Sequence, residues 1–384
     1  MRPVRRALAA SIAAAAGLAC LTGASVAAGG PAASKTTVVA GLDNPRDLTF
    51  TPDGSLYVAE AGHGGGASSC VTNPQVGELC PGFTSQISRI DLRAGTSTPV
   101  VTGLISIADH TGFGATGVDG IDAVGNDTLL GIITGASDFI PPGVFPPDVT
   151  ERAQAQLGRL IHAYPDTGRW KDVGDVGHRD FVWASHHRNL VPGQFPDANP
   201  YGVLADNGQR WVVDAGSNTL DRVDFDGDVR VVAFFPNPPA ADAVPTCIDR
   251  GPDGALYIGE LTGGGNPPGS SVVWRFTPED GLQQWATGLT AVTGCGFASD
   301  GSFYAVELST LGLDAAAPGT GAVVRVPAHS TSPEVVMGGL DFPGGFAARG
   351  GKEDDGFVNL YTSNWSIAPA ASGMGSVVRI SFPR

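Results

Sequence analysis

Two distant segments of the chain carry nearly the same phrase, and that repetition restricts the fold more than any other feature. Residues 45–60 read PRDLTFTPDGSLYVAE and residues 245–260 read PTCIDRGPDGALYIGE. They coincide at Pro45/Pro245, at the turns Pro52-Asp53-Gly54 and Pro252-Asp253-Gly254, at Leu56-Tyr57 and Leu256-Tyr257, and at the closing acids Glu60 and Glu260. A looser third copy, VTGCGFASDGSFYAVE, spans 292–307. An apolar run, an Asp-Gly turn and an alternating run is the sequence form of a β-hairpin. Its recurrence means that one small sheet is built repeatedly, as in a propeller or solenoid.

Six such units begin near Gly41, Gly103, Asn199, Ala243, Leu289 and Leu340. The third, NPYGVLADNGQRWVVDAGSNTLDRVDFDGDVRVVAFF, is the most compact, with strands joined by Asn-Gly, Gly-Ser-Asn and Asp-Gly turns. The second is the longest: an inner pair over about 117–134, a short helix around Val149–Leu157, then a strand at Arg159–Tyr164. Residues 181–198 break the pattern and read as an insertion. The last unit ends on a third strand, Ser376–Phe382, so its fourth must come from elsewhere. The run Thr36–Ala40, TTVVA, supplies it. The sequence therefore predicts an all-β, six-bladed β-propeller in one domain over 36–384, closed by pairing of the N-terminal strand with the C-terminal blade, which leaves no free sheet edge. Trp211, Trp274, Trp285, Tyr257 and Tyr304, at strand positions, are expected in the blade packing.

The first 28 residues are a different polymer. Arg2, Arg5 and Arg6 precede an Ala-rich apolar run from Ala7 to Leu21, and Val26 and Ala28 suit cleavage. This reads as a signal peptide, followed by a short linker over 29–35, in a secreted protein. The apolar run is shorter than the ~20 residues of a membrane span. Lipidation at Cys20 is the alternative, on a poor motif. Removing 1–28 deletes three arginines and takes the net charge from −15 to −18. Such acidity argues against nucleic acid or an anionic membrane as partner. Four cysteines remain, and in an exported chain they imply two disulfides. Cys70 and Cys80 share one loop, while Cys247 and Cys295 occupy nearly equivalent places in neighbouring units.

In a propeller, the loop entering an innermost strand and the loop leaving the second strand emerge on one face. That brings Asn44, Arg46 and Asn199 beside the second-strand ends Glu60, Asp214, Glu260, Glu307 and Asn364. These residues are the candidate ligand-binding set. Glu60, Glu260 and Glu307 are candidate ligands for Ca²⁺, a hard cation that takes six to eight oxygens, with Arg46 as an alternative counter-charge. The bland reading is that each acid accepts hydrogen bonds from its own turn. Loops 61–84, 135–156, 261–270, 308–320 and 364–374 gather on this same face. His63 and His110 are within reach of it, while His178, His186 and His187 belong near the irregular insertion; no partner is evident for any of them. No catalytic residue is assigned. G-x-S-x-G, H-E-x-x-H and nucleotide-binding glycine loops are absent from the sequence.

The phrases at 41–62, GATGVDGI at 114–121, NPYGVLADNG at 199–208, AVPTCIDRGPDGALYIGELTG at 243–263 and LTAVTGCGFASDGSFYAVE at 289–307 resemble the secreted ScyD/ScyE family over nearly all of 36–384. That resemblance implies an exported, NHL-like six-bladed propeller whose biochemical role is largely unassigned. The PDG-L-Y-V-x-E phrase is also similar to quinoprotein sugar dehydrogenases and calcium-dependent lactonase-type propellers. The expected function is binding of a small molecule, glycan or protein at the loop-rich face by a monomer. The alternative is a calcium-assisted hydrolase or lactonase, or a quinoprotein-like dehydrogenase, at the channel mouth.

Overall fold

The computed structural model describes residues 33–73, 77–140, 143–190, 195–237, 240, 242–349, 356–367 and 373–384. The signal segment 1–28, Cys20 and most of the linker lie outside the described residues. Strand β1 (Ser34–Leu42) comes first. Blade one contains β2 (Pro45–Phe50), β3 (Leu56–Glu60), β4 (Val71–Asn73), β5 (Gly77–Asp91) and β6 (Thr96–Ala108). Blade two contains β7 (Val118–Ala123), β8 (Leu129–Ile133), helix α1 (Pro147–Gln154), β9 (Arg159–Tyr164) and β10 (Arg169–Asp175), and helix α2 (Val176–His186) follows it. Blade three contains β11 (Pro200–Asp206), β12 (Gln209–Asp214), β13 (Thr219–Val223) and β14 (Val229–Phe234). Blade four contains β15 (Pro245–Arg250), β16 (Leu256–Glu260), β17 (Ser271–Thr277) and β18 (Gly281–Leu289). Blade five contains β19 (Val292–Phe297), β20 (Phe303–Glu307), β21 (Gly321–Val326) and β22 (Glu334–Leu340). Blade six contains β23 (Phe346–Ala348), β24 (Phe357–Asn364) and β25 (Gly375–Pro383).

These strands form six antiparallel sheets, and β1 is the outer strand of blade six, paired with β25 from Ser34↔Ser381 to Leu42↔Gly375. The molecule is a six-bladed β-propeller closed by its N-terminal strand, as the missing fourth strand of the last unit implied.

Alternation along the second strands explains why the blades stack. Side chains of a strand point alternately to opposite faces. In β16, Leu256 and Ile258 pack against blade three with Leu204 and Trp211, whereas Tyr257 packs against blade five with Phe303. In β3, Val58 and Leu56 pack against blade six with Tyr361 and Val377, whereas Tyr57 faces blade two with Ile121 and Leu129. Leu130 of β8 meets Val203 and Val212 of blade three, and Tyr304 of β20 meets Phe346 and Val378 of blade six. Each of the six blade-to-blade contacts thus has its own apolar cluster. The aromatic residues assigned to packing from the sequence lie in these clusters, with Trp285 half-buried.

Near the axis the inner strands crowd, and glycine permits it. A Cβ on Gly345 would sit 2.3 Å from the Cα of Asp47 in blade one, and one on Gly120 would sit 2.2 Å from the Tyr201 carbonyl in blade three. Both disulfides are present: Cys70–Cys80 spans the small β4–β5 hairpin, and Cys247–Cys295 joins the inner strands of blades four and five with Cα atoms 5.6 Å apart. Helix α1 agrees with the sequence expectation. Helix α2 does not: its last six residues fall in the segment read as irregular, because its mixed polar and aromatic pattern carries little helical periodicity. No helix among the described residues is long and apolar enough to cross a membrane.

Candidate functional site

Two ends of the channel must be distinguished. Pro45 pairs with Glu60 and Phe50 with Leu56, so the second-strand acids lie at the end where the inner strands begin. At that end the backbone follows a repeated pattern. Positive φ marks the residue just before the inner strand in three blades, Asn44 (49°), Val244 (52°) and Ala291 (47°), and in blade six it marks Phe342 (44°), four residues ahead of β23. The carbonyls of these residues accept N–H groups just beyond the second strand, from Ala61, Leu261, Leu308 and Ser366. The second-strand side chain replies. Glu60 accepts from Asp43 N at 2.8 Å, Glu307 from Thr290 N at 2.7 Å and Asn364 from Asp341 N at 2.9 Å. Asp214 accepts from Asn199 N, Gly216 N and Ser217 N at 2.7, 2.8 and 2.9 Å. Glu260 accepts instead from the Trp274 indole at 2.5 Å and Val272 N at 3.3 Å.

This geometry corrects the sequence expectation of convergence. Glu60, Glu260 and Glu307 are buried and each is hydrogen-bonded within its own blade; Glu60 additionally receives Gln86 and Ser88 from β5. Among the described residues, one group alone offers three metal-type ligand atoms within 4.8 Å of one another, and it is Cys70, Glu78 and Cys80, whose sulfurs are joined in a disulfide. The three glutamates therefore do not fit one shared calcium ion. Burial lifts all three carboxyls: Glu60 upward, Glu307 to about 7 and Glu260 to about 8.

Arg46 is not their counter-charge. Its guanidinium turns inward to Asp119 at 3.2 Å, to the Ala115 carbonyl and to Tyr201. Asn44 is likewise engaged, donating to the carbonyls of Gly62 and Gly112. The histidines, read from sequence as lacking partners, acquire them: His63 meets Asp43 at 2.8 Å, His110 meets Glu78 at 2.6 Å and His178 meets Asp138 at 3.0 Å. Glu78 raises the His110 pKa. His187 bonds the Trp183 carbonyl and stacks on that indole.

The large concavity lies elsewhere. A cavity of about 640 Å³ occupies the channel axis, lined by the inner strands of all six blades from their midpoints to the turn at Pro52 and Gly54 and to Arg349. None of the eight candidate residues from the sequence lines it. Its walls carry Asp47, Asp122 and Asp249. Each carboxylate reaches across to a neighbouring inner strand: Asp122 to Ala205 N at 2.8 Å, Asp249 to Phe297 N at 2.7 Å, and Asp47 to Ile121 N at 3.4 Å. Desolvation by the surrounding strands raises Asp47 and Asp249 to about 7 and Asp122 to about 6. All three are partly open to the cavity, so channel water moderates that lift. The result is a set of carboxyl groups able to give or take a proton near neutral pH. A recognisable signal was present: an aspartate beside a leucine or isoleucine inside an inner strand, in PRDL, GIDA and CIDR.

Fold and channel together define a six-bladed β-propeller with an acid-walled axial cavity. No protein-family model matches this chain. No curated protein matches it. Among solved structures it is similar to a putative oxidoreductase described as a glucose dehydrogenase from Thermus thermophilus, with 13% identity, 91% of this chain and 99% of that chain covered, and a TM-score of 0.53. It is also similar to a gluconolactonase from Xanthomonas campestris, with 9% identity, coverage of 91% and 90%, and a TM-score of 0.50. A third is a protein of unknown function from Bacteroides thetaiotaomicron, with 10% identity, coverage of 91% and 76%, and a TM-score of 0.52. At these identities the likeness is one of fold.

Proposed function

We propose that this propeller binds a small polar molecule in the axial cavity and moves protons on it through Asp47, Asp122 and Asp249, as a hydrolase or lactonase would. The observation that carries the reading is the coincidence of a cavity of about 640 Å³ with three wall carboxyls, each bonded to a neighbouring blade and pushed by burial above the ordinary carboxylate range. Pocket volumes of ~300–1,000 Å³ suit a sugar-sized ligand. The occurrence of a gluconolactonase and a described glucose dehydrogenase on the same fold is consistent with such a ligand but adds fold-level analogy only. The two disulfides and the leading Arg/Ala-rich segment support export of a ScyD/ScyE-like protein, and the long loops over the opposite mouth support a second reading, binding of a glycan or protein there.

The test uses δ-gluconolactone as probe, with hydrolysis followed by acid release and binding by calorimetry, for the wild type, Asp249→Asn and Asp122→Asn. Saturable hydrolysis or binding that either substitution lowers at least tenfold supports the proposal. Turnover or binding unchanged in both variants, or absent in the wild type for gluconolactone and a panel of related sugar lactones, overturns it.

A further inference from the structure

Away from the channel, three carboxyl groups meet in a wholly buried place. Asp180 of α2, Asp214 at the end of β12 and Asp221 of β13 have no solvent exposure. Asp214 Oδ1 is held by three backbone N–H groups, and Asp221 Oδ2 accepts from Thr219 at 2.9 Å. Four oxygens remain without a donor: both of Asp180, Oδ2 of Asp214 and Oδ1 of Asp221. Three bare carboxylates cannot persist in such a site, because each buried charge without a partner costs several kcal/mol. A shared divalent cation is disfavoured by the geometry, since the three acids do not bring three oxygens within 4.8 Å of one another.

We propose that Asp180, Asp214 and Asp221 share two protons in a carboxyl chain that fastens α2 to blade three, so that docking of this helix depends on pH. Two protons satisfy all four oxygens. A hydroxyl on Asp221 donates to one oxygen of Asp180, and a hydroxyl on the other oxygen of Asp180 donates to Asp214. The single remaining negative charge rests on Asp214, where three N–H dipoles already stabilise it. The burial of Asp180 and Asp221 raises both well above the ordinary carboxyl range, in keeping with this arrangement. Charged groups around the chain are few. Arg179 of α2 acts on Asp221 while its guanidinium bonds the Val229 carbonyl of β14. At the helix start, Asp175 caps His178 N, and the His178 ring is paired with Asp138. None of these groups bonds Asp180.

The sign follows from the raised carboxyls. Their contribution is complete below the unfolded value near 4 and is lost as pH rises through the folded values, when two further charges appear under the helix. What then yields is α2, whose Trp183 packs on Phe234 of β14.

The test is amide hydrogen exchange of the full chain at pH 6 and pH 9, corrected for intrinsic rates, for the wild type and Asp180→Asn. Asparagine keeps one donor and one acceptor in the chain but does not ionise. In the wild type, protection over residues 176–186 should fall at least about tenfold more than protection of β16 and β20. In Asp180→Asn that excess loss should shrink to about threefold or less. Should Asp180→Asn fail to fold, Asp221→Asn gives the same comparison. A uniform loss across all blades, or an equal loss in wild type and variant, overturns the proposal. So does protection at pH 9 that 1 mM calcium restores and EDTA removes, which would assign the site to a cation.

Discussion

Replacing Glu260 with glutamine separates a capping acid from a ligand for a cation, because the two roles predict opposite pH behaviour. Glu260 is 1% exposed, accepts from the Trp274 indole and from Val272 N, and is lifted by desolvation from 4.5 to about 8. A carboxyl raised in this way stabilises the fold fully below its unfolded value and loses that contribution as pH climbs to the folded value. Holding it ionised above pH 8 costs on the order of 5 kcal/mol. Glutamine keeps a carbonyl for Trp274 but turns an NH₂ toward Val272 N, forfeiting one long hydrogen bond worth ~1 kcal/mol. At pH 4 the variant should therefore be less stable by ~1 kcal/mol. The two proteins should match at about pH 5, and at pH 9 the variant should be more stable by about 4 kcal/mol. Urea unfolding at the three pH values, read as midpoint shifts at constant m, measures this. A variant destabilised equally at pH 4 and pH 9 refutes the reasoning, and one destabilised only at pH 9 shows a counter-charge on the ionised carboxylate.

Three further outcomes are expected. Deleting residues 34–42 removes β1 with buried Val39 and Leu42 and bares the edge of β25; thermal unfolding should show a loss of at least ~4 kcal/mol together with aggregation, and an unchanged melting temperature would contradict closure by this strand. Cys247→Ala/Cys295→Ala opens a 48-residue loop and should cost up to ~4 kcal/mol in denaturant unfolding; a loss below ~0.5 kcal/mol would mean the adjacent inner strands hold their register without the bridge. Val244→Asn should stabilise by ~1 kcal/mol, since a β-branched residue at φ 52° is strained where asparagine is tolerated, and a destabilised variant would show that the valine side chain matters more than the strain.

The blades were legible because they are local: an Asp-Gly turn between alternating strands is written in sixteen consecutive residues, and its repetition announced the ring. Closure was legible by subtraction, from the missing fourth strand of the last unit. The acids ending the second strands were found but assigned to the wrong partners. Their partners are donors: backbone N–H groups just before left-handed residues, Asp43 N ahead of Asn44 for Glu60 and Thr290 N ahead of Ala291 for Glu307, and the Trp274 indole for Glu260, and a left-handed alanine is a conformation that residue type does not advertise. Asp47, Asp122 and Asp249 were passed over because nothing adjacent to them in sequence reports that their carboxyls cross to another blade. Asp180 escaped for the same reason, being some 34 residues from Asp214 and 41 from Asp221 in a helix whose pattern is weak.

The pairing of Ser34 with Ser381 places the first and last strands of the propeller 347 residues apart. A ribosome finishes the partner of β1 only after every other blade has been made. Until β1 pairs with it, the edge of β25 in blade six is bare and can recruit a strand from a second molecule. Ring closure thus rests on the pairing of greatest sequence separation among the strands, the kind of contact whose loop-closure entropy slows folding.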